Sequence, residues 1–232
     1  MKVYPIFLNN LAGRRCVVVG GEHEAERKAA GLLECDAAVV VISPDLTEPL
    51  RQWVDAGRIG WIPRGYQRGD LRDAFLAIVS EAEPATAKAI WQEAQEEKVL
   101  LNTMDDVPRC TFVAGSVMRR GPLVASISTS GCAPVLAVRL RQQLEQTLGP
   151  EYEAFLDLAA ALREPLAARH PDFDERRRRW YALVDSDILD LLRADDLDTA
   201  YRRIAEIMGV EPMVSVSEST RHLIAFAFRP KT

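Results

Sequence analysis

The sequence predicts an α/β chain: an open parallel sheet covered by helices, then a small α+β segment, then a helical region. Three observations carry that reading. Short continuous apolar runs alternate with helically spaced stretches over residues 16–102. Two further apolar runs, 112–118 and 123–128, are joined by Arg119-Arg120-Gly121-Pro122, and a helix opened by Pro134 follows. From 151 to 209 the pattern is helical throughout, interrupted at His170-Pro171.

Each element has its own reason. Cys16-Val17-Val18-Val19 and Ala38-Val39-Val40-Val41-Ile42 are runs of the kind buried on both faces of a parallel sheet. Gly20-Gly21 stops the first, and Ser43-Pro44-Asp45 the second. Between them, Ala25, Ala29, Leu32 and Leu33 recur at helical spacing and predict a helix over 24–34. A helix over 46–56, a strand over 60–62, a strand over 76–79, a helix over 86–97 and a strand over 99–102 complete the alternation. The second apolar run of the central segment alternates with small polar residues, as a half-exposed strand does. Four arginines at 176–179 and six aspartates between Asp185 and Asp198 read as solvated helix faces. Residues 213–228 alternate again, as an added strand or a loose end would.

Composition narrows the function. The 232 residues are 48% hydrophobic and 27% charged, ordinary for a folded chain and too apolar for disorder. A net charge of −5 argues against a general nucleic-acid binder. No apolar stretch approaches the length of a membrane span, and the N-terminus lacks the pattern of a secretion signal, so no membrane partner is expected. Cys16, Cys35, Cys110 and Cys132 lie far apart without metal-ligand spacing, and His23, His170 and His222 form no pair. A disulfide framework and a metal site are therefore not expected, and cytoplasmic residence is the natural reading.

Three segments can carry chemistry. Gly20-Gly21-Glu22-His23-Glu24-Ala25, between a strand and a helix, has the layout of a dinucleotide loop: a tight turn, a backbone approach and a small helix-packing residue. Glu22 holds the middle position, where a carboxylate would point toward the phosphates or force the loop away. Nucleotide binding and a plain βα turn both remain open from this motif alone. Asn102-Thr103-Met104-Asp105-Asp106 closes the last parallel strand, where open α/β sheets place their ligands. Ser126-Ile127-Ser128-Thr129-Ser130-Gly131-Cys132-Ala133-Pro134 is a hydroxyl-rich approach to a helix N-terminus, suited to an anion.

Bland alternatives stand beside each. Asp105 and Asp106 could form a turn or cap pair, and Asn102 could satisfy backbone groups at the strand end. Ser128 and Thr129 could make an ordinary turn before the helix. Arg109, Arg119, Arg120, Arg139 and Arg141 surround these segments, either as surface charges or as partners for planar anions.

Together with Ala25-Glu26-Arg27-Lys28-Ala29 and the opening Pro5-Ile6-Phe7, the segments resemble, in order and spacing, the precorrin-2 dehydrogenase module of siroheme synthases. The resemblance runs from Val3 to about residue 210. It implies a Rossmann-like NAD-binding domain over 1–112, a dimerisation domain over 113–150 and a helical domain with a C-terminal tail over 151–232. It further implies a homodimer that oxidises precorrin-2 to sirohydrochlorin with NAD, and ferrous iron insertion as a second activity of some members. Carried over by position, the essential aspartate falls on Asp105, acting as a general base. Cofactor contacts fall on Gly20, Gly21, Glu22, His23, Glu24, Pro44, Asp45 and Glu81. The substrate cleft receives Thr129, with Ser128, Asn102 and Arg109 beside it.

Three positions depart from the family pattern. Glu22 replaces a glycine, Glu81-Ala82 a Thr-Asp pair, and Cys132-Ala133 a Lys-Ser or Thr-Ser pair. Two of these put carboxylates beside the expected cofactor. They support a second reading, a non-catalytic tetrapyrrole carrier or partner protein that has lost NAD binding.

Overall fold

The computed structural model of the chain describes residues 3–104 and 106–210. The chain divides between Ala114 and Gly115 into two compact units.

The first unit is a five-stranded parallel sheet in the order β3-β2-β1-β4-β5. Its strands are β1 (Arg15–Val19), β2 (Ala38–Ile42), β3 (Gly60–Ile62), β4 (Leu76–Val79) and β5 (Leu100–Thr103). Helices α1 (His23–Leu33), α2 (Glu48–Asp55) and α3 (Pro84–Glu97) connect them. Alternation along the strands sorts the core into two layers. Cys16, Val18, Val39, Val41, Leu76 and Ile78 pack with Ala25 and Ala29 of α1 and Leu50 of α2. Val17, Val19, Ile42, Ala77, Val79 and Leu101 pack with Ile90 and Ala94 of α3 on the other side. All four residues of β4 are buried, which is why the sequence there is a continuous apolar run.

Register sets the functional edge. Val19 is paired with Ile42 on one side and Val79 on the other, and Val79 with Thr103. With Ile62 paired to Ile42, all five strands therefore end level, and the segments after them emerge side by side at the carboxyl edge.

The second unit begins with an antiparallel hairpin, β6 (Ser116–Arg120) and β7 (Leu123–Ile127), turned by Gly121-Pro122. Helices α4 (Pro134–Thr147), α5 (Glu151–Arg169), α6 (Phe173–Val184), α7 (Ile188–Arg193) and α8 (Leu197–Met208) follow. Ala154, Leu158, Leu162 and Leu166 form one stripe of α5 and pack on Leu183, Ile188, Leu192, Ala200, Ile204 and Met208. Arg120 donates to the Leu148 and Glu145 carbonyls, both at 3.3 Å, and Arg141 to Ser116 Oγ at 3.1 Å, which ties α4 to the hairpin.

Two expectations shift. The strand expected over 112–118 starts only at Ser116. Thr111 instead docks on β5, accepting from Leu101 N–H at 2.6 Å and donating its own N–H to the Leu101 carbonyl at 2.8 Å. The arginines at 176–179 are not all solvated: Arg176 donates to the His170 carbonyl at 2.8 Å, and Arg179 to the Ile207 carbonyl at 2.7 Å. The pattern over 213–228 lies outside the described residues. Among the described residues no helix is long and apolar enough to cross a membrane, and no group of His, Cys, Asp or Glu could hold a metal ion.

Candidate functional site

The site is built on the turn from β1 into α1. Gly20 has φ +121°, a conformation that side-chain-bearing residues rarely adopt, and a Cβ there would lie 2.2 Å from Ser80 Oγ. At Gly21 a Cβ would lie 1.9 Å from the Asp45 carbonyl oxygen. The Gly21 carbonyl in turn accepts from Thr47 N–H at 2.9 Å. The two glycines thus let the β1 turn close against the ends of β4 and β2.

Glu22 is the N-cap of α1. Its Oε1 accepts from Ala25 N–H at 3.2 Å, and its Oε2 lies 3.4 Å from the Ser80 hydroxyl. The carboxylate therefore neither forces the loop away nor projects from it. It folds over Gly20 onto one free N–H of its own helix, that of Ala25.

The neighbouring acids are turned elsewhere. Glu24 pairs along the helix with Arg27 and Lys28, both at 3.1 Å. His23 opens α1 with an exposed side chain, its Nδ1 3.5 Å from Glu26. Pro44 and Asp45 form the turn after β2; the Asp45 carboxylate is exposed and 3.8 Å from Arg51.

Glu81 lines a cavity of about 270 Å³ after β4 and β5, with Ser80, Ala82, Pro84, Thr103, Met104, Asp106 and Arg109 on its walls. Asp106 and Arg109 form an ion pair there. Thr103 is buried, and among the described residues its hydroxyl has no hydrogen-bond partner. A buried hydroxyl without a partner costs stability. Met104 N–H donates to the Val79 carbonyl at 2.9 Å, so the strand end is held immediately before Asp105. Asp105 itself lies outside the described residues.

Asn102 is buried and donates to the Phe112 carbonyl at 3.0 Å. Cys110 Sγ lies 3.2 Å from both the N–H and the carbonyl of Thr103. Together they staple residues 110–112 back onto β5. In this conformation Asn102 serves backbone groups, one of the two roles open to it from sequence.

In the second unit, Ser128 Oγ accepts from Ser130 N–H at 3.1 Å and Thr129 Oγ1 from Ala133 N–H at 3.1 Å. Ser130 and Gly131 both have positive φ, so this loop curls on itself before α4. Thr129 there acts as the turn's own acceptor.

The structure thus brings Gly20–Glu24, Pro44-Asp45, Glu81, Asn102 and Arg109 to one sheet edge, in the first unit. Ser128 and Thr129 belong to the second. Two polar groups of the edge were not singled out from sequence, Ser80 and Thr103. Their signal was positional: each is a hydroxyl residue at the end of a buried strand.

Comparison with known proteins places this geometry. Residues 7–116 match a family model described as "Putative NAD(P)-binding". Residues 120–147 match one described as "Sirohaem biosynthesis protein central", and 151–208 one described as "Sirohaem synthase dimerisation region". In these three matched regions the chain is similar to siroheme synthases. A siroheme synthase of Photobacterium profundum is 34% identical over 192 residues, 83% of this chain and 41% of that protein. Siroheme synthase 1 of Serratia proteamaculans is 32% identical over 225 residues, 97% of this chain and 47% of its own length. The chain thus spans less than half the length of these relatives. A solved structure titled "SirC, precorrin-2 dehydrogenase" superimposes with a TM-score of 0.73 at 21% identity, covering 90% of this chain and all of that one, and shows the shared fold. The region carrying the dimerisation description is 151–208, downstream of the 113–150 segment that the sequence reading assigned to it.

Proposed function

We propose that the chain oxidises precorrin-2 to sirohydrochlorin, using NAD, within siroheme biosynthesis. One observation carries the reading: the level ends of β1, β2, β4 and β5 gather a two-glycine turn and a cavity lined by Thr103, Met104, Asp106 and Arg109 at one edge of a sheet that matches an NAD(P)-binding family. The titles of the relatives supply the substrate class.

The residues fit a dinucleotide in most respects. The βα turn has the two glycines, and the cavity beside the strand ends is lined by polar groups of Ser80, Glu81 and Arg109. The Glu22 carboxylate is the one group standing where a diphosphate would be received. When bound, NAD supplies the hydride acceptor. Gly20, Gly21, His23, Glu24, Pro44, Asp45 and Glu81 surround its place. Asp105 takes the proton that leaves the macrocycle, from a strand end held by Met104 and by the Asp106–Arg109 pair. Asn102, Arg109, Ser128 and Thr129 are assigned to the substrate side. We assign 1–112 to dinucleotide binding, 113–150 to dimer contacts alongside the region that the dimerisation model matches, and 151–232 to the helical domain with its C-terminal tail, and we place a homodimer in the cytoplasm.

The test is an anaerobic assay of the protein with precorrin-2 and NAD, read by the sirohydrochlorin absorption spectrum. Stoichiometric NADH and sirohydrochlorin are expected. A second reading, a tetrapyrrole carrier without NAD, is favoured by the seat of Glu22. Tetrapyrrole binding with no NAD binding at millimolar concentration would put the carrier first.

A further inference from the structure

We infer that Glu22 is a resident stand-in for the dinucleotide's diphosphate, and that cofactor binding expels it from the N-terminus of α1. This deepens the NAD reading and rests on it.

The geometry is that of an occupied anion seat. Helix α1 has eleven residues, and its first N–H groups have no partner within the helix. One of them, Ala25 N–H, is taken by Glu22 Oε1 at 3.2 Å. The other carboxylate oxygen lies 3.4 Å from Ser80 Oγ and 3.0 Å from the position that a Cβ on Gly20 would take. The carboxylate thus covers the glycine that shapes the turn and sits against the β4 end. A diphosphate entering a βα turn needs the same donors and the same space.

Two anions cannot share that seat. A single N–H offers one well-directed hydrogen bond, and like charges at contact distance repel. The chain therefore has two arrangements: one capped by Glu22, and one with Glu22 swung out and the donors free for the ligand. Apparent affinity for a dinucleotide falls by the fraction of time the seat is free. Ligands without a diphosphate escape the penalty. A glutamate is well suited to this role because its chain is long enough to reach back to its own helix while the backbone remains extended, with φ −91° and ψ −176°.

The experiment is calorimetric titration of the full chain, its Glu22→Gly and Glu22→Gln variants, and Glu48→Gln as a control, with NAD and with adenosine. Glu48 opens α2 and accepts a hydrogen bond from Gln52 in its own helix. Melting curves are recorded with and without NAD. NAD is expected to bind Glu22→Gly about tenfold more tightly than the parent, with Glu22→Gln between them. Adenosine should bind all forms alike. The ligand-free glycine variant should melt lower, having lost its cap, and gain more from NAD than the parent does. Raising salt should narrow the difference between parent and variants. Equal NAD affinity in parent, Gln and Gly forms would overturn the inference while leaving the NAD reading in place. Absence of NAD binding in every form would overturn both.

Discussion

The carboxylate of Glu93 accepts a hydrogen bond from the backbone N–H of Leu71 at 2.9 Å, although Glu93 is only 2% exposed. It also accepts from Gly69 N–H at 3.0 Å and from the Tyr66 hydroxyl. A buried side chain of α3 thereby organises the long connection between β3 and β4. Burial, and then the bond to Glu93, hold the Tyr66 phenol well above its ordinary range, so it stays a donor.

Removing that acceptor should be costly. Glu93→Ala leaves two backbone donors and a phenol without their partner, for an expected loss of about 2–4 kcal/mol. Glu93→Gln keeps one acceptor and should lose about half as much. Urea unfolding of both variants measures this. A loss below about 0.5 kcal/mol for the alanine form would show the network to be dispensable.

The same connection contributes an acid limit to stability. Arg64 grips Asp70 through two bonds, at 2.7 and 2.8 Å, and Gln67 N–H adds a third at 2.7 Å. The Arg64 bond, foremost, holds the Asp70 carboxyl below the usual carboxylate range. A pKa lowered in the folded state gives stability that is present above the unfolded value, about 3.9, and lost as pH falls through the folded one. Glu175 is shifted the same way, chiefly by Arg179. Asp70→Asn should therefore flatten part of the decline in melting temperature below about pH 4, and none of the curve near neutrality. An unchanged acid profile would contradict the assignment.

Asp105→Asn should abolish NAD-dependent oxidation of precorrin-2 while leaving the far-ultraviolet circular dichroism unchanged. Asp106→Asn breaks the pair with Arg109 and should lower turnover only several-fold. Single-turnover assays under anaerobic conditions separate the two. Near-normal rates in both variants would remove the base from this segment.

The strand elements were legible in detail because their signal is local. β2, β3 and β4 coincide with the runs 38–42, 60–62 and 76–79, each bounded by breakers and filled with residues that a two-sided core demands. Phe112 misled because an apolar run looks alike whether it pairs in a hairpin or lies along a strand edge, and the hydroxyl of Thr111 decided that. The glycine turn was readable as a pattern, but the seat of Glu22 was not. A side chain's choice between solvent and its own helix depends on what stands opposite, here Ser80, 58 residues away in the chain. The orphaned Thr103 hydroxyl was invisible for the same reason, since partners are a property of assembled strands.

A homodimer should persist at micromolar concentration in light scattering. Val117 is a 48% exposed apolar side chain on the hairpin, and α6 exposes Phe173, Tyr181 and Val184 within the region of the dimerisation model. Val117→Asp tests the first surface and Tyr181→Glu the second. A monomeric parent would end the proposal; a monomer from only one variant would locate the contact.

The level ends of the strands also bind the edge that carries the glycine turn to the core in a single reading frame. Deleting one residue within β4 would draw Ser80, Glu81 and Ala82 about 3.3 Å down the sheet. It would also exchange the layers that Ala77 and Ile78 face, turning each into the wrong half of the core. No shortening of that strand can therefore retune the cavity alone. Changes of length are confined to the connections, and changes of chemistry at the edge must come by substitution.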